Sequence, residues 1–409
     1  MQYLRTLLYI TFIGLIFNSC QRPLKQAAPV AVRISSPNLK SSCPYLTQDH
    51  QGRPVLCWVQ AQDTAGNFLM AYAVSLDGGQ TFGNPKFIAT TQGVHPHDEN
   101  LSKILFRENG DIIAMFAVNN PNPENNYAGL VKYTQSFDGG KTWTAAKQIA
   151  EDAAASIDER YFDMTLLPNG EVAVIWLDSR KETPAEGSSL YYASTQGRAG
   201  FKHEKVIDQQ LCQCCRTKLF VDATGNLHAV YRGIINGTVR DMMHLVSPDN
   251  GKSFSEPERI SADNWAIDGC PHSGPAMTAT NNNLHFVWYT MGGGSGVYYC
   301  RKPDKQGFSQ REIVSNVPSA KHPQICTFNQ EQLAIVWDEQ TQQPNNLNNR
   351  IGLQIRDGKG QIIRNTHLTP DSISATHPVI LKVAESAIIV AYTDKTTPNS
   401  QVWYKLITL

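Results

Sequence analysis

A chain that writes one unit over and over at a spacing of about 50–60 residues has few ways to fold, because each unit must bury its apolar face against the next. Here the spacing is marked by an aromatic or apolar residue just before a turn: Tyr72, Tyr133, Tyr191, His244, Tyr298 and Leu353. Every unit has the same internal order. A first strand leads through a Gly or Asn turn into a strongly apolar second strand, such as IIAMFAV (112–118), VAVIWLD (172–178) or LAIVWDE (333–339). A third strand and a shorter fourth follow. Four short strands per unit predict an all-β chain folded as a β-propeller. Seven blades are favoured, and six with irregular ends is the alternative. The last unit, 377–409, lacks a fourth strand, while VAVRISSPN (30–38) has no unit of its own and matches the fourth strand ERISADN (258–264). The N-terminal strand is therefore expected to complete the last blade and close the ring, which hides edges that would otherwise pair with other chains.

Residues 1–20, MQYLRTLLYITFIGLIFNSC, read separately. One Arg precedes an apolar run that is short for a membrane span, and small or polar residues lead into Cys20. The ending resembles a bacterial lipoprotein signal, which implies lipidation at Cys20, a tether over 21–29 and a single propeller domain over 30–409. The expected place is the bacterial cell envelope, lipid-anchored and facing the periplasm or the surface. The 36 Lys plus Arg equal the 36 Asp plus Glu, so nothing favours nucleic acid as a partner. A monomer is expected.

Three units end their third strand in one octapeptide: SLDGGQTF (75–82), SFDGGKTW (136–143) and SPDNGKSF (247–254). This resembles the Asp-box of the sialidase-like (BNR repeat) superfamily, and the likeness extends through the repeat over the whole chain after the leader. The carboxylate can accept backbone N–H bonds inside the turn, and Gly supplies positive φ. Ser75, Asp77, Gly79, Ser136, Asp138, Gly140, Ser247, Asp249 and Gly251 are accordingly expected to be structural, on the edge away from the ligand-binding mouth.

The mouth belongs to the loops entering each first strand and those joining second to third strands. Five entry loops carry Cys-Pro or His-Pro at one point: Cys43, His95, Cys270, His322 and His377. The other two carry Asp158-Glu159-Arg160 and the cluster Cys212, Cys214, Cys215, Arg216. Three readings compete for this ring. Proline starts the inner strand and the cysteines pair, with Cys212, Cys214 or Cys215 bridging to Cys270. Alternatively Cys212, Cys214, Cys215, Cys270, His272, His322 and His377 hold copper, zinc, iron or a haem. The third reading is glycoside hydrolysis. The sialidase resemblance implies three arginines on a substrate carboxylate, a Tyr–Glu nucleophile pair and an acidic acid/base. Asp98, Asp158, Glu159 and Tyr161 are the candidates for catalysis, and His95, His97, Arg160, Arg216, His272 and Arg240 for ligand binding. Ser42, however, stands where the family places its first arginine, and a hydroxyl cannot replace a bidentate guanidinium. The second strands end in Trp58, Trp176, Tyr231, Trp288, Trp337 and Tyr392, read as packing between blades in preference to sugar platforms. The expected function is binding of a small-molecule or glycan ligand in a Cys/His/acid-lined funnel, with an exo-sialidase or a metal- or haem-binding propeller as alternatives.

Overall fold

The second strands are apolar throughout because both of their faces are covered by neighbouring blades. In the computed structural model, which describes residues 30–180, 187–329, 331–341 and 347–409, Pro54–Ala61 is buried along its entire length. The described residues form seven four-stranded antiparallel sheets. Their inner strands are Ser41–Gln48, Lys103–Phe106, Ser156–Leu166, Lys218–Val221, Ala276–Thr280, Lys321–Asn329 and Ala375–Ala384. The outer strands are short or exposed; Ile362–His367 has no buried residue. Between the sheets lie the apolar clusters that hold the ring together, with Trp58, Trp176, Tyr231, Trp288, Trp337 and Tyr392 at most 2% exposed. They are packing residues, as expected, and offer no platform to a sugar.

The ring closes as the sequence suggests. Val32 and Arg33 pair with Tyr404 and Trp403, so the chain start supplies the fourth strand of the last blade. Ile34 N–H then donates to the Val402 carbonyl (3.0 Å), and Val402 N–H donates to Ser35 Oγ (2.9 Å). Cys20 and the 21–29 tether lie outside the described residues. No helix among the described residues is long and apolar enough to cross a membrane.

The three octapeptide turns are built alike. In the second, Ser136 Oγ donates to Asp138 Oδ1 (2.9 Å) and accepts from Gly140 N–H (2.8 Å), while Thr142 donates its N–H and hydroxyl to Asp138. The Thr142 hydroxyl, with that backbone N–H, pulls the Asp138 carboxyl down to about 2. Gly140 is needed twice over. Its φ is +86°, and a side chain there would collide with the hydroxyl of Tyr72 from the preceding blade. The same key recurs around the ring. Tyr133 meets Gly200, Tyr192 donates to the Asn250 carbonyl (3.0 Å), Tyr299 lies against Gly360, and Tyr404 donates to the Gln80 carbonyl (3.1 Å). Tyr192 and Tyr299, not the neighbouring Tyr191 and Tyr298 that mark the sequence repeat, are thus the equivalents of Tyr72 and Tyr133. Asp138→Ala is expected to lower the melting temperature by a few degrees and leave ligand binding by the folded protein unchanged. A variant that melts normally but no longer binds would show that the turn is not merely structural.

Candidate functional site

The inner strands are bent at their mouth ends by a shared device. Cys43, Tyr161, His272, His322 and His377 all have φ between 50° and 60°, a left-handed conformation unusual outside glycine. At Cys43, Tyr161, His322 and His377 this falls within a register shift of the strand pair. Such bulges re-aim a side chain without breaking the sheet. A neighbouring blade caps the freed backbone N–H each time. Cys43 donates to Asp98 Oδ1 (3.2 Å), Tyr161 to Asn100 Oδ1 (2.8 Å), His322 to Ser273 Oγ (3.3 Å) and His377 to Asp338 Oδ2 (2.6 Å).

The left-handed position is filled differently from the Cys-Pro and His-Pro pattern of the entry loops. Cys43, His322 and His377 hold it. In the fifth blade the left-handed residue is His272, and Cys270 is exposed on the approach loop. His95 is not one of the left-handed residues and sits in the second blade's entry loop. The eight cysteines among the described residues are free thiols, so the bridge from the 212–215 loop to Cys270 is not formed.

Three of the ring residues converge on a residue that the sequence reading passed over. Glu99, 4% exposed, has Oε1 at 3.4 Å from both His322 Nε2 and His377 Nε2, and Oε2 at 3.2 Å from Arg216 Nε. The two imidazoles stack with centroids 3.8 Å apart. His322 Nδ1 lies 2.7 Å from Asp338 Oδ2, and His377 Nδ1 lies 3.9 Å from Asp98 Oδ2, which Lys395 Nζ approaches at 2.7 Å. Burial alone would lower the basicity of His377, but Asp98, Glu99 and Asp338 outweigh it and the net shift is upward. Burial also works against the Asp98 and Glu99 carboxylates, yet His377 and Lys395 for the first, and Arg216 and His322 for the second, hold both below their usual range.

Outside this centre, a cavity of about 350 Å³ opens between the second and third blades, bordered by His95, His97, Asn100, Tyr127, Arg160 and Tyr161. His97 Nδ1 accepts backbone N–H bonds from Glu99 and Asn100 (both 3.2 Å), which leaves its proton on Nε2. Burial lowers the basicity of His97 and His95, so both are neutral at pH 7. Arg160 Nε donates to Asp158 Oδ1 (2.6 Å), and Tyr127 is 85% exposed at the rim.

A family model described as a BNR repeat-like domain matches residues 55–287, more than half of the chain. The chain belongs to the BNR repeat-like family. No curated protein matches its sequence. Among solved structures it is similar to a Dyadobacter fermentans protein of unknown function (12% identity, TM-score 0.53, covering 94% of this chain and 99% of that one). It is similar also to the polysaccharide lyase Uly1 (11% identity, TM-score 0.58, covering 90% of each chain). A third is a mutant of the NanB sialidase of Streptococcus pneumoniae (11% identity, TM-score 0.51, covering 95% of this chain and 71% of that one). At these identities the likeness shows the fold.

Within this BNR propeller the arginines are committed elsewhere. Arg232 donates to the carbonyls of Arg240, Ser273 and Tyr289, Arg240 Nε donates to the Ile267 carbonyl, and Arg180 pairs with Asp178 and Glu204. Arg160 is held by Asp158 and Arg216 by Glu99. Glu159 is also not at the mouth. It is fully buried, accepting from Val131 N–H (2.8 Å) and Gln148 Nε2 (2.5 Å), and burial pushes it up to about 8. Burial raises the Tyr161 hydroxyl, and the hydrogen bonds of Glu159 run to Val131 and Gln148 instead of to Tyr161. Cys212 Sγ lies 3.5 Å from Cys214 Sγ and 3.7 Å from Cys215 Sγ. Thiol hydrogen bonds from those two favour the Cys212 thiolate and keep Cys214 protonated.

Proposed function

We propose that this BNR propeller is a lipid-anchored protein of the bacterial cell envelope that binds a glycan at its mouth cavity. The observation that carries this reading is the makeup of that cavity. An exposed Tyr127 ring at the rim suits the C–H face of a sugar, while neutral His97, Asn100 and Arg160 suit its hydroxyls. The committed arginines and Ser42 speak against a sialidase-type carboxylate clamp. Similarity in fold to a polysaccharide lyase and a sialidase accords with a saccharide ligand.

The test is a glycan microarray probed with the purified protein, followed by titration with a bound oligosaccharide. Tyr127→Ala and His97→Ala are each expected to weaken that affinity about tenfold, or about 1.4 kcal/mol, without changing the melting temperature of the Tyr127 variant. Binding that survives in both variants, or an array with no bound glycan, would remove the proposal.

A further inference from the structure

We infer that Glu99, His322 and His377 form a binding site for a divalent transition metal of the zinc class. Each residue offers one ligand atom, and the three atoms lie within 4.8 Å of one another. The carboxylate is buried, yet neither of its oxygens has a hydrogen-bonding partner, and Arg216 Nε and Nη2 and His377 Nδ1 are likewise without one. A buried carboxylate is costly unless its lone pairs are used. The two imidazole nitrogens approach Oε1 at 3.4 Å but are poorly aligned to donate to it. That separation instead suits ligands sharing a metal, since bonds of about 2.0–2.1 Å give a tetrahedral edge of about 3.3–3.4 Å.

The surrounding groups agree. Asp338 Oδ2 at 2.7 Å from His322 Nδ1 fixes the proton there and leaves the Nε2 lone pair free for a metal. Asp98 stands behind the Nδ1 of His377 at 3.9 Å. Three buried or nearly buried carboxylates, those of Asp98, Glu99 and Asp338, face two fixed cations, Arg216 and Lys395. Two nitrogens on inner strands and one oxygen from a buried loop residue favour zinc over calcium or magnesium, which take oxygen ligands. The three side chains leave one tetrahedral position for water or an oxygen of a bound molecule.

Zinc binding at these side chains does not depend on glycan binding at the mouth cavity, and separate titrations report the two. The purified full-length protein, stripped with EDTA, is expected to take up one equivalent of Zn(II). Glu99→Gln and His322→Ala should each weaken uptake at least about 100-fold, whereas Cys212→Ser should leave it unchanged. Because a ring variant could misfold, Co(II) loading of the unaltered protein gives an independent reading. Visible bands of a four-coordinate nitrogen–oxygen site support the assignment. A thiolate-to-cobalt charge-transfer band would move the ion to Cys212, Cys214 and Cys215 and overturn it. So would the lack of stoichiometric zinc uptake, or full uptake by a folded His322→Ala variant.

Discussion

Removal of residues 21–37 is expected to abolish the single cooperative melting transition of this propeller, whereas removal of 21–27 should leave it intact. The longer truncation deletes the strand Val32–Arg33 and its continuation through Ile34 and Ser35, and leaves Gln401–Thr408 as an unpaired edge. Four or so hydrogen bonds at about 1 kcal/mol each, plus the partly buried Ile34 side chain, put the loss at about 4–6 kcal/mol. That is a large share of the stability of an ordinary domain. The bared edge adds a kinetic hazard, because a strand with free N–H and C=O groups recruits another chain. Calorimetry with light scattering on both truncations decides the matter. If the two melt alike, the N-terminal strand is not what closes the ring.

Glu159→Gln should raise stability most at alkaline pH. The carboxyl is buried and held neutral up to about pH 8, against an ordinary value of 4.5, and burial is the dominant cause. Between those values the unfolded chain releases a proton that the folded chain keeps, so the native protein loses stability as pH rises from 4.5 to 8. At about 1.4 kcal/mol per unit, the variant should gain about 4–5 kcal/mol over the parent at about pH 8, and the gap should close near about pH 4.5. The amide introduced by Glu159→Gln can still accept from Val131 N–H and donate to the Gln148 amide oxygen once that amide turns over. His244 and His285 lose stability on the acid side, because burial lowers them to about 3 and about 4, but they do so equally in both proteins. Equal melting curves for parent and variant across about pH 5–8 would mean that Glu159 is ionised in the fold.

What the sequence made legible follows from how each feature is encoded. Blade number and closure were readable because a doubly covered strand must be apolar throughout, and such strands recur at Val55, Ile112, Val172, Leu227, Leu284, Leu333 and Ile388. The turns were readable because one carboxylate, one hydroxyl and two close positions determine their hydrogen bonds. The ring was half readable. Proline after Cys or His marks the strand entry, but the inward position is set by left-handed backbone and cross-strand register. Cys270 therefore yields its place to His272. Pairs such as Tyr191-Tyr192 and Tyr298-Tyr299 defeat a compositional alignment, since only the pleat decides which ring faces the next blade. Glu99 was not legible, because a loop carries it to the centre and no strand period predicts where a loop side chain will point. Its one signal was an acidic pair directly after His97.

The tyrosine keys have a consequence for how such a ring can change in number. Each is a head-to-tail contact in which one blade's tyrosine fits the next blade's turn, as subunits meet in a cyclic oligomer. A contact of this kind is the same whether the neighbour is the second module or the sixth. Tyr404 reaching the Gln80 carbonyl shows the end of the chain using the key already used between adjoining modules. Duplication or loss of a module between two such keys thus leaves a key facing a matching turn and alters only the angle at which the last key arrives.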